Sequence, residues 1–362
     1  MPAPPLSVLL IGYGLGGRVF HAPLISAVER LSLDGIVTGN ADRAAQAAGA
    51  HPNARIHATL EDGLARDYDL AVISTANVTH VPYATAALEA GLHVVLDKPI
   101  APSALAAGVL ADLAGSRARL LIPFQNRRWD SDFLTVLAVA RDGRIGNVHR
   151  FASHIERMRV TPKPGWRGSG DPADMGGMLY DLGAHAIDQA ILLMGPVTAV
   201  ASAVRSVRPG FDADDDVVLL LTHASGTVSV VTVSQIGAFD APRFTVLGTH
   251  GGLRITATDS QEPALAAGRD PSSADWGVEP DDSGAQLRTM GQDNVAHESV
   301  LPLERGQWPR FYAGVADAIL EGAEPPVRIA DVIENLRVID AARLAGSTGT
   351  TVTLDPPAAH AR

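Results

Sequence analysis

The sequence predicts an α/β protein in two parts. The first is an N-terminal doubly wound parallel sheet. The second is a C-terminal α+β domain with a large open, mainly antiparallel sheet. Three observations carry this expectation. Residues 8–17, VLLIGYGLGG, form a short apolar run ending in Gly12, Gly14 and Gly17. Strand-like and helix-like segments then alternate as far as Phe124. Beyond Phe124, strand-like runs follow one another with few helices.

The first run suits a buried parallel strand, and its glycines have the G-x-G-x-x-G spacing of a dinucleotide-binding turn. The first glycine permits the tight turn, the second lets a pyrophosphate approach, and the third lets the next helix pack close. That helix, read over GRVFHAPLISAVERL, starts with free N–H groups that favour an anion. LSLDGIVTG reads as a second strand, ADRAAQAAGA as a short helix, ARIHA as a weak strand and TLEDGLA as a helix. YDLAVISTA is a strong strand. THVPYATAALEAG is a helix with a Thr cap and Gly91 as its stop signal. HVVLDKP, APSALAAGVLADLAGS and RLLIPF complete the set as strand, helix and strand. Repeated βα units imply right-handed crossovers and a parallel sheet. The domains are therefore placed at residues 1–124 and 125–362.

In the second part, GNVHRFASHIER, VTAVASAVRSV, DDVVLLLTHAS, GTVSVVTVSQI, RFTVLGTH and GGLRITATD alternate apolar and polar residues between turn signals. This pattern predicts a sheet with one face on helices and one face open. The open face is expected to be covered in a homodimer or homotetramer. Gln261–Asn294, rich in Pro, Ser, Asp and Gly, reads as a long surface loop. Late helices are expected over Gly306–Glu321 and Ile329–Leu344.

The 362 residues carry a formal net charge of −11, which argues against a nucleic-acid surface. The chain has no cysteine, so disulfides, thiolate metal sites and cysteine nucleophiles are excluded together. No apolar stretch is long enough for a membrane span. The N-terminal segment lacks a basic region ahead of its apolar run, so no signal peptide is expected. A cytoplasmic enzyme fits these features.

Two constellations carry chemistry. Asp97-Lys98-Pro99 ends a strand, and ligands of doubly wound sheets bind beyond the carboxyl ends of their strands. A lysine there can stabilise an alkoxide or donate to a reacting oxygen, although most lysines simply sit on the surface. In GGMLYDLGAHAIDQAI, Asp181 and His185 share a helix face, with Asp188 beside His185. A carboxylate can orient the imidazole and raise its basicity. A surface ion pair, a core histidine or a metal site are the alternatives; no third ligand is nearby and no metal is expected.

Together, GYGLGG, DKP and GGMLYDLGAH resemble the glucose–fructose oxidoreductase / inositol dehydrogenase / MocA (Gfo/Idh/MocA) family along essentially the whole chain. FHAPL, NRRWDSDFLTV, YDLGAHAIDQ and the segment from APRFTVLGTHGG to WG are similar to the subgroup of NADP-dependent scyllo-inositol dehydrogenases. The resemblance implies an N-terminal Rossmann domain and an oxidoreductase. It implies that Lys98 and His185 handle a substrate hydroxyl and that Asp181 holds substrate and His185. In oxidation His185 then takes the hydroxyl proton while hydride leaves for the nicotinamide, and Lys98 stabilises the alkoxide. Cofactor contacts are expected at Gly12, Tyr13, Gly14, Leu15, Gly16 and Gly17, at Thr75, Ala76, Asn77 and His80, and at Asp97 and Lys98. Two departures stand out: Asp97 replaces the usual Glu, and Ser74–Asn77 lacks the usual Pro.

An NAD-preferring site places an acid at the end of the second strand. Here Thr38, Gly39 and Asn40 stand there instead. Thr38 and Asn40 can donate hydrogen bonds, and Arg43 can reach a 2′-phosphate. NADP is therefore expected ahead of NAD. Asn126, Arg167 and Tyr180, with Asp181 and His185, are the expected contacts of a polyol or sugar, and Trp166 can stack on its ring. Arg127 and Arg128 enter the same cleft, and Arg157 and Arg159 face either the site or an oligomer partner. The competing functions are a nicotinamide-binding regulator without turnover and an NAD-dependent glycoside hydrolase.

Overall fold

The computed structural model describes residues 4–159, 161, 165–291 and 293–355. Strands β1 (Leu6–Ile11), β2 (Leu31–Val37), β3 (Arg55–His57), β4 (Leu70–Ile73), β5 (His93–Leu96) and β6 (Leu121–Pro123) pair in parallel. Their order is β3-β2-β1-β4-β5-β6. The order reverses beside β1, which makes the carboxyl end of β1 the switch point where a ligand crevice opens. Val8, Leu9 and Leu10 are fully buried, as the unbroken apolar run requires of a strand covered on both faces.

A π-helical turn, Gly16–His21, follows the glycines and leads into α1 (Ala22–Ser26). The helix expected as far as Leu31 stops five residues earlier, because Leu31 pairs with Leu6 to open β2. Sheet pairing outweighs the helical character of the segment. Helices α2 (Ala41–Ala50), α3 (Leu60–Leu64), α4 (His80–Glu89) and α5 (Ala104–Ser116) complete the wrapping. Asn40, Thr59 and Ser103 cap α2, α3 and α5. The Thr cap expected for α4 is absent: the Thr79 hydroxyl donates to the Ala76 carbonyl instead. Gly91 does stop α4, at φ +86°.

After α6 (Ser131–Arg141), the second sheet takes up β7 (Val148–Glu156). Helix α7 (Ala184–Met194) precedes β8 (Val197–Arg205), β9 (Asp216–His223), β10 (Val228–Ser234), β11 (Phe244–Gly248) and β12 (Gly251–Ile255). Helix α8 (Gln261–Ala266), β13 (Gly284–Met290), β14 (Ala296–Pro302), α9 (Pro309–Glu321), α10 (Ile329–Thr348) and β15 (Val352–Thr353) follow. The order is β14-β13-β12-β11-β7-β10-β9-β8-β15. Every pairing in it is antiparallel except β7 with β10.

Helices α7 and α10 cover one face, meeting β10 and β8. Along β9, Val217, Leu219 and Leu221 point inward and are buried, while Val218 and Leu220 are exposed. The surface loop expected over Gln261–Asn294 is corrected: it contains α8 and β13. Its Gln261 is fully buried and accepts from the Trp276 indole and the Trp308 amide. Local composition signals a loop, but a few apolar anchors such as Leu265 and Trp276 hold the segment in the core.

Candidate active site

A cleft of about 1810 Å³ opens at the carboxyl ends of β1, β4 and β5 and is closed on the far side by the second sheet. The glycine turn forms its near wall. Gly12 has φ +99°, and a Cβ there would lie 2.2 Å from the Ser74 carbonyl. A Cβ on Gly17 would lie 2.0 Å from the Gly12 carbonyl, so only glycine lets the turn close on itself. A Cβ on Gly14 would meet only the Arg43 guanidinium, at 3.8 Å. Gly14 therefore presents its backbone to open space in the cleft, as the cradle of a pyrophosphate requires. Tyr13, Leu15 and Gly16 also line the wall, and Leu15 is exposed.

Thr38, Gly39, Asn40 and Arg43 border one end of the cleft. The Asn40 carbonyl oxygen accepts the Arg43 amide at 3.0 Å, which leaves its NH₂ to donate outward. Asp34, midway along β2, takes the Ser7 and Ser32 hydroxyls. Glu61, in the first turn of α3, borders the same end. It escaped the sequence reading because that reading followed β2 alone.

Thr75, Ala76 and Asn77 line the middle of the cleft, and the Asn77 amide donates to the Met175 carbonyl across it, at 3.1 Å. His80 is corrected. It is buried away from the cleft, and its Nδ1 donates to the Pro99 carbonyl at 2.8 Å, bracing the turn after Lys98.

The chemical groups converge on the floor. Lys98 Nζ donates to the main-chain oxygen of Asp181 at 2.5 Å and to its Oδ1 at 2.9 Å. The Asp97 carboxylate accepts the Ser74 hydroxyl and the Lys98 amide. Burial alone would raise the Asp97 carboxyl. The neighbouring His21, His80 and Lys98 side chains hold it down at about 2.

The expected carboxylate–imidazole pairing is corrected. Asp181 lies in a π-helical turn, Leu179–Gly183, ahead of α7. The wider turn moves residues four apart off a common line, and Asp181 reaches Lys98. Asp188 forms a two-pronged pair with Arg128, at 2.7 and 2.8 Å, below the site. The ring of His185 is held instead by Gln125, with Nδ1 2.8 Å from Oε1. An amide oxygen there places the ring proton on Nδ1 and leaves Nε2 free to accept one. Burial first, then Lys98, Arg127 and Arg243, push His185 well below its ordinary 6.5, so the imidazole is neutral at pH 7.

Asn126 is buried and lines the cleft, as do Arg127, Arg157 and Arg167. Arg127 is held by Asp130 and Glu262. Arg128 is turned away to Asp188 and Asp331. Tyr180 is corrected: it is buried behind the site and its hydroxyl donates to the Pro102 carbonyl at 2.7 Å. The side chain of Trp166 lies outside the described residues.

Two further residues escaped the sequence reading. One is Gln125, adjacent to Asn126. The other is Arg243, which is buried, lines the cleft, and donates to Ser153 and Gln189. Nothing local distinguishes Arg243 from a surface arginine. Among the described residues, no group of three His, Cys, Asp or Glu is placed to hold a metal.

Comparison with known proteins completes the description. The model of the oxidoreductase family with an NAD-binding Rossmann fold matches residues 6–124, and that of the GFO/IDH/MocA C-terminal domain matches residues 133–254. The uncharacterized oxidoreductase YdgJ of Escherichia coli is 35% identical over 340 residues, covering 92% of this chain and 94% of its own. The scyllo-inositol 2-dehydrogenase (NADP(+)) IolW of Bacillus subtilis is 30% identical over 352 residues, covering 97% and 96%. Among solved structures, yvaA of Bacillus subtilis superposes with TM-score 0.91 at 28% identity, covering 97% of this chain and 100% of that one.

Proposed function

The chain belongs to the Gfo/Idh/MocA family and is an NAD(P)-dependent oxidoreductase, and from this premise we propose that it transfers a hydride between NADP(H) and a hydroxyl-bearing carbon of a cyclic polyol or sugar. The observation that carries the reading is the meeting of Lys98, Asp181 and His185 on the cleft floor opposite the glycine turn.

The Gly12–Gly17 turn would hold the pyrophosphate, and Ser74–Asn77 with Asp97 would border the nicotinamide half. When bound, the nicotinamide supplies the hydride acceptor or donor. His185, neutral and with Nε2 free, takes the hydroxyl proton in oxidation and returns it in reduction. Lys98 turns an N–H toward the substrate oxygen and stabilises its negative charge. Asp181 holds the Lys98 ammonium in place. Asn126, Arg127 and Arg167 offer hydrogen bonds to further hydroxyls.

NADP is favoured over NAD by three features. No carboxylate ends β2, the Asn40 NH₂ faces outward, and Arg43 lies over Gly14. Glu61 is the one acid bordering that end among the described residues, on α3 rather than at the end of β2. The substrate class is supported by the NADP-dependent scyllo-inositol 2-dehydrogenase among the relatives. We further take residues 1–124 as the nucleotide-binding unit and 125–362 as the substrate-binding and assembly unit. The exposed apolar residues of the outer face of β9 suit a homodimer or homotetramer, and a cytoplasmic setting suits the cysteine-free chain.

A panel of cyclic polyols and aldoses, offered with NADP⁺ and with NAD⁺, tests the reading. Reduced nicotinamide should accumulate with at least one cyclic polyol, and faster with NADP⁺. Turnover confined to acyclic alcohols, or net cleavage of glycosides without cofactor consumption, would replace it.

A further inference from the structure

We propose that His21 is a positioning residue that locks the Asp97 carboxylate beneath the glycine turn, and that Tyr312 of α9 sets the proton on its ring. His21 closes the π-helical turn after the glycines and is fully buried. Its Nε2 lies 3.5 Å from Asp97 Oδ2, and its Nδ1 lies 2.6 Å from the Tyr312 hydroxyl. Tyr312 is also fully buried, and His21 is the only hydrogen-bond partner of its hydroxyl among the described residues. Burial and the nearby Asp97 charge keep that hydroxyl protonated. A protonated phenol is a donor available to Nδ1, and the other ring nitrogen, Nε2, is turned toward the carboxylate. Phe124 packs against the ring at 4.3 Å between centroids and fixes its plane.

Asp97 passes the constraint on. Its Oδ1 accepts the Lys98 amide at 2.9 Å, and its Oδ2 takes the Ser74 hydroxyl at 3.1 Å. A Cβ on Gly16 would lie 3.3 Å from Oδ2, so the carboxylate sits directly under the turn. The groups facing it are His21 from the turn after β1, His80 from α4, Lys98 from its own strand end, and Tyr312 from α9 beyond His21. A line of contacts thus runs from α9 to the Lys98 backbone: a hydrogen bond between Tyr312 and His21, the 3.5 Å approach of His21 Nε2 to the Asp97 carboxylate, and the Lys98 amide donating to Asp97 Oδ1. Its catalytic relevance rests on the reading of Lys98 given above.

Two measurements on the full-length protein test the inference, with NADP⁺ as the probe. The first is a double-mutant cycle on the apo protein's melting temperature, using His21→Phe, Asp97→Asn and the double variant. His21→Phe should lower the midpoint by about 3–6 °C in the parent and by less than about 1 °C in the Asp97→Asn background. The second is NADP⁺ affinity at about pH 7.5 and about pH 5. Without His21 the carboxylate gains proton affinity, so the ratio of parent to His21→Phe affinities should change at least about threefold between the two. The change should vanish in the Asp97→Asn background, and His21→Gln, which retains a donor, should restore the parent profile. If His21→Phe does not fold, Tyr312→Phe carries the same cycle. Additive melting losses with a pH-independent affinity ratio would overturn the proposal and leave His21 as space-filling. A non-additive melting cycle in a protein that binds no NADP⁺ keeps the proposal and overturns the cofactor reading instead.

Discussion

Lys98 Nζ stands 2.9 Å from the carboxylate of Asp181, so a strand end of the first sheet is clasped by the turn that opens α7 over the second. The pair assembles the site from two halves of the chain. The ammonium directs N–H donors to the main-chain oxygen and the carboxylate of Asp181 and has a third donor to offer.

Lys98→Ala and His185→Ala should each lower turnover about 100-fold or more, the size of lost acid–base or oxyanion stabilisation. The double variant should lose less than the product of the two, because residues acting on one hydroxyl are not additive. NADP⁺ affinity should change little. Steady-state rates and fluorescence titration check both statements. Near-normal turnover in His185→Ala would return His185 to a structural role.

The depressed basicity of His185 fixes the sign of the pH profile. A base must be neutral to accept a proton, and its folded pKa lies well below 6.5. Oxidation should therefore hold its rate as pH falls through 6.5, and decline only further into acid. Gln125→Glu places a carboxylate 2.8 Å from Nδ1, where the Gln125 amide now sits. It should move the acid limb upward by about 1 unit or more. A limb at or above 6.5 in the parent, measured as kcat/KM against pH, would contradict the assignment.

Arg43→Ala should weaken NADP⁺ by about tenfold, the worth of one charge-assisted hydrogen bond, and leave NAD⁺ within about twofold. Gly39→Asp, which puts a carboxylate at the end of β2, should reverse the preference. Parallel titrations with both cofactors read the result. Equal loss of both cofactors in Arg43→Ala would remove the 2′-phosphate contact.

Val218 and Leu220 project from the uncovered face of β9, next to Thr232 and Val230 of β10. Leu220→Glu would bury a charge in any interface built there, at a cost of several kcal/mol. The parent should scatter light as a dimer or tetramer of the 37.8 kDa chain, and Leu220→Glu as a smaller species of unchanged melting temperature. A monomeric parent at micromolar concentration would rule the interface out.

The glycine turn was legible because its requirements are local: Gly12 and Gly17 leave no room for a Cβ whatever the rest of the chain does. The alternation of β9 and β10 was legible for the same reason, since period two survives in any sheet. Gln261–Asn294 was misread because its glycines and serines are local loop signals, whereas Gln261 and Trp276 are buried by partners far away in sequence. Helical spacing also misassigned the partners of His185 and Asp188, because a π-helical turn changes the phase ahead of α7.

By itself the sequence determined the two-part α/β architecture, the parallel order of βα units and the glycine turn that follows β1. These follow from short-range sterics and from which residues must leave water. Tertiary structure alone decided the partnerships: Lys98 with Asp181, His185 with Gln125, and His21 between Asp97 and Tyr312. Such pairs bridge up to 291 residues of chain. Many polar residues can satisfy any one of them, and only the packing of the two sheets around one cleft brings these particular groups within hydrogen-bond reach.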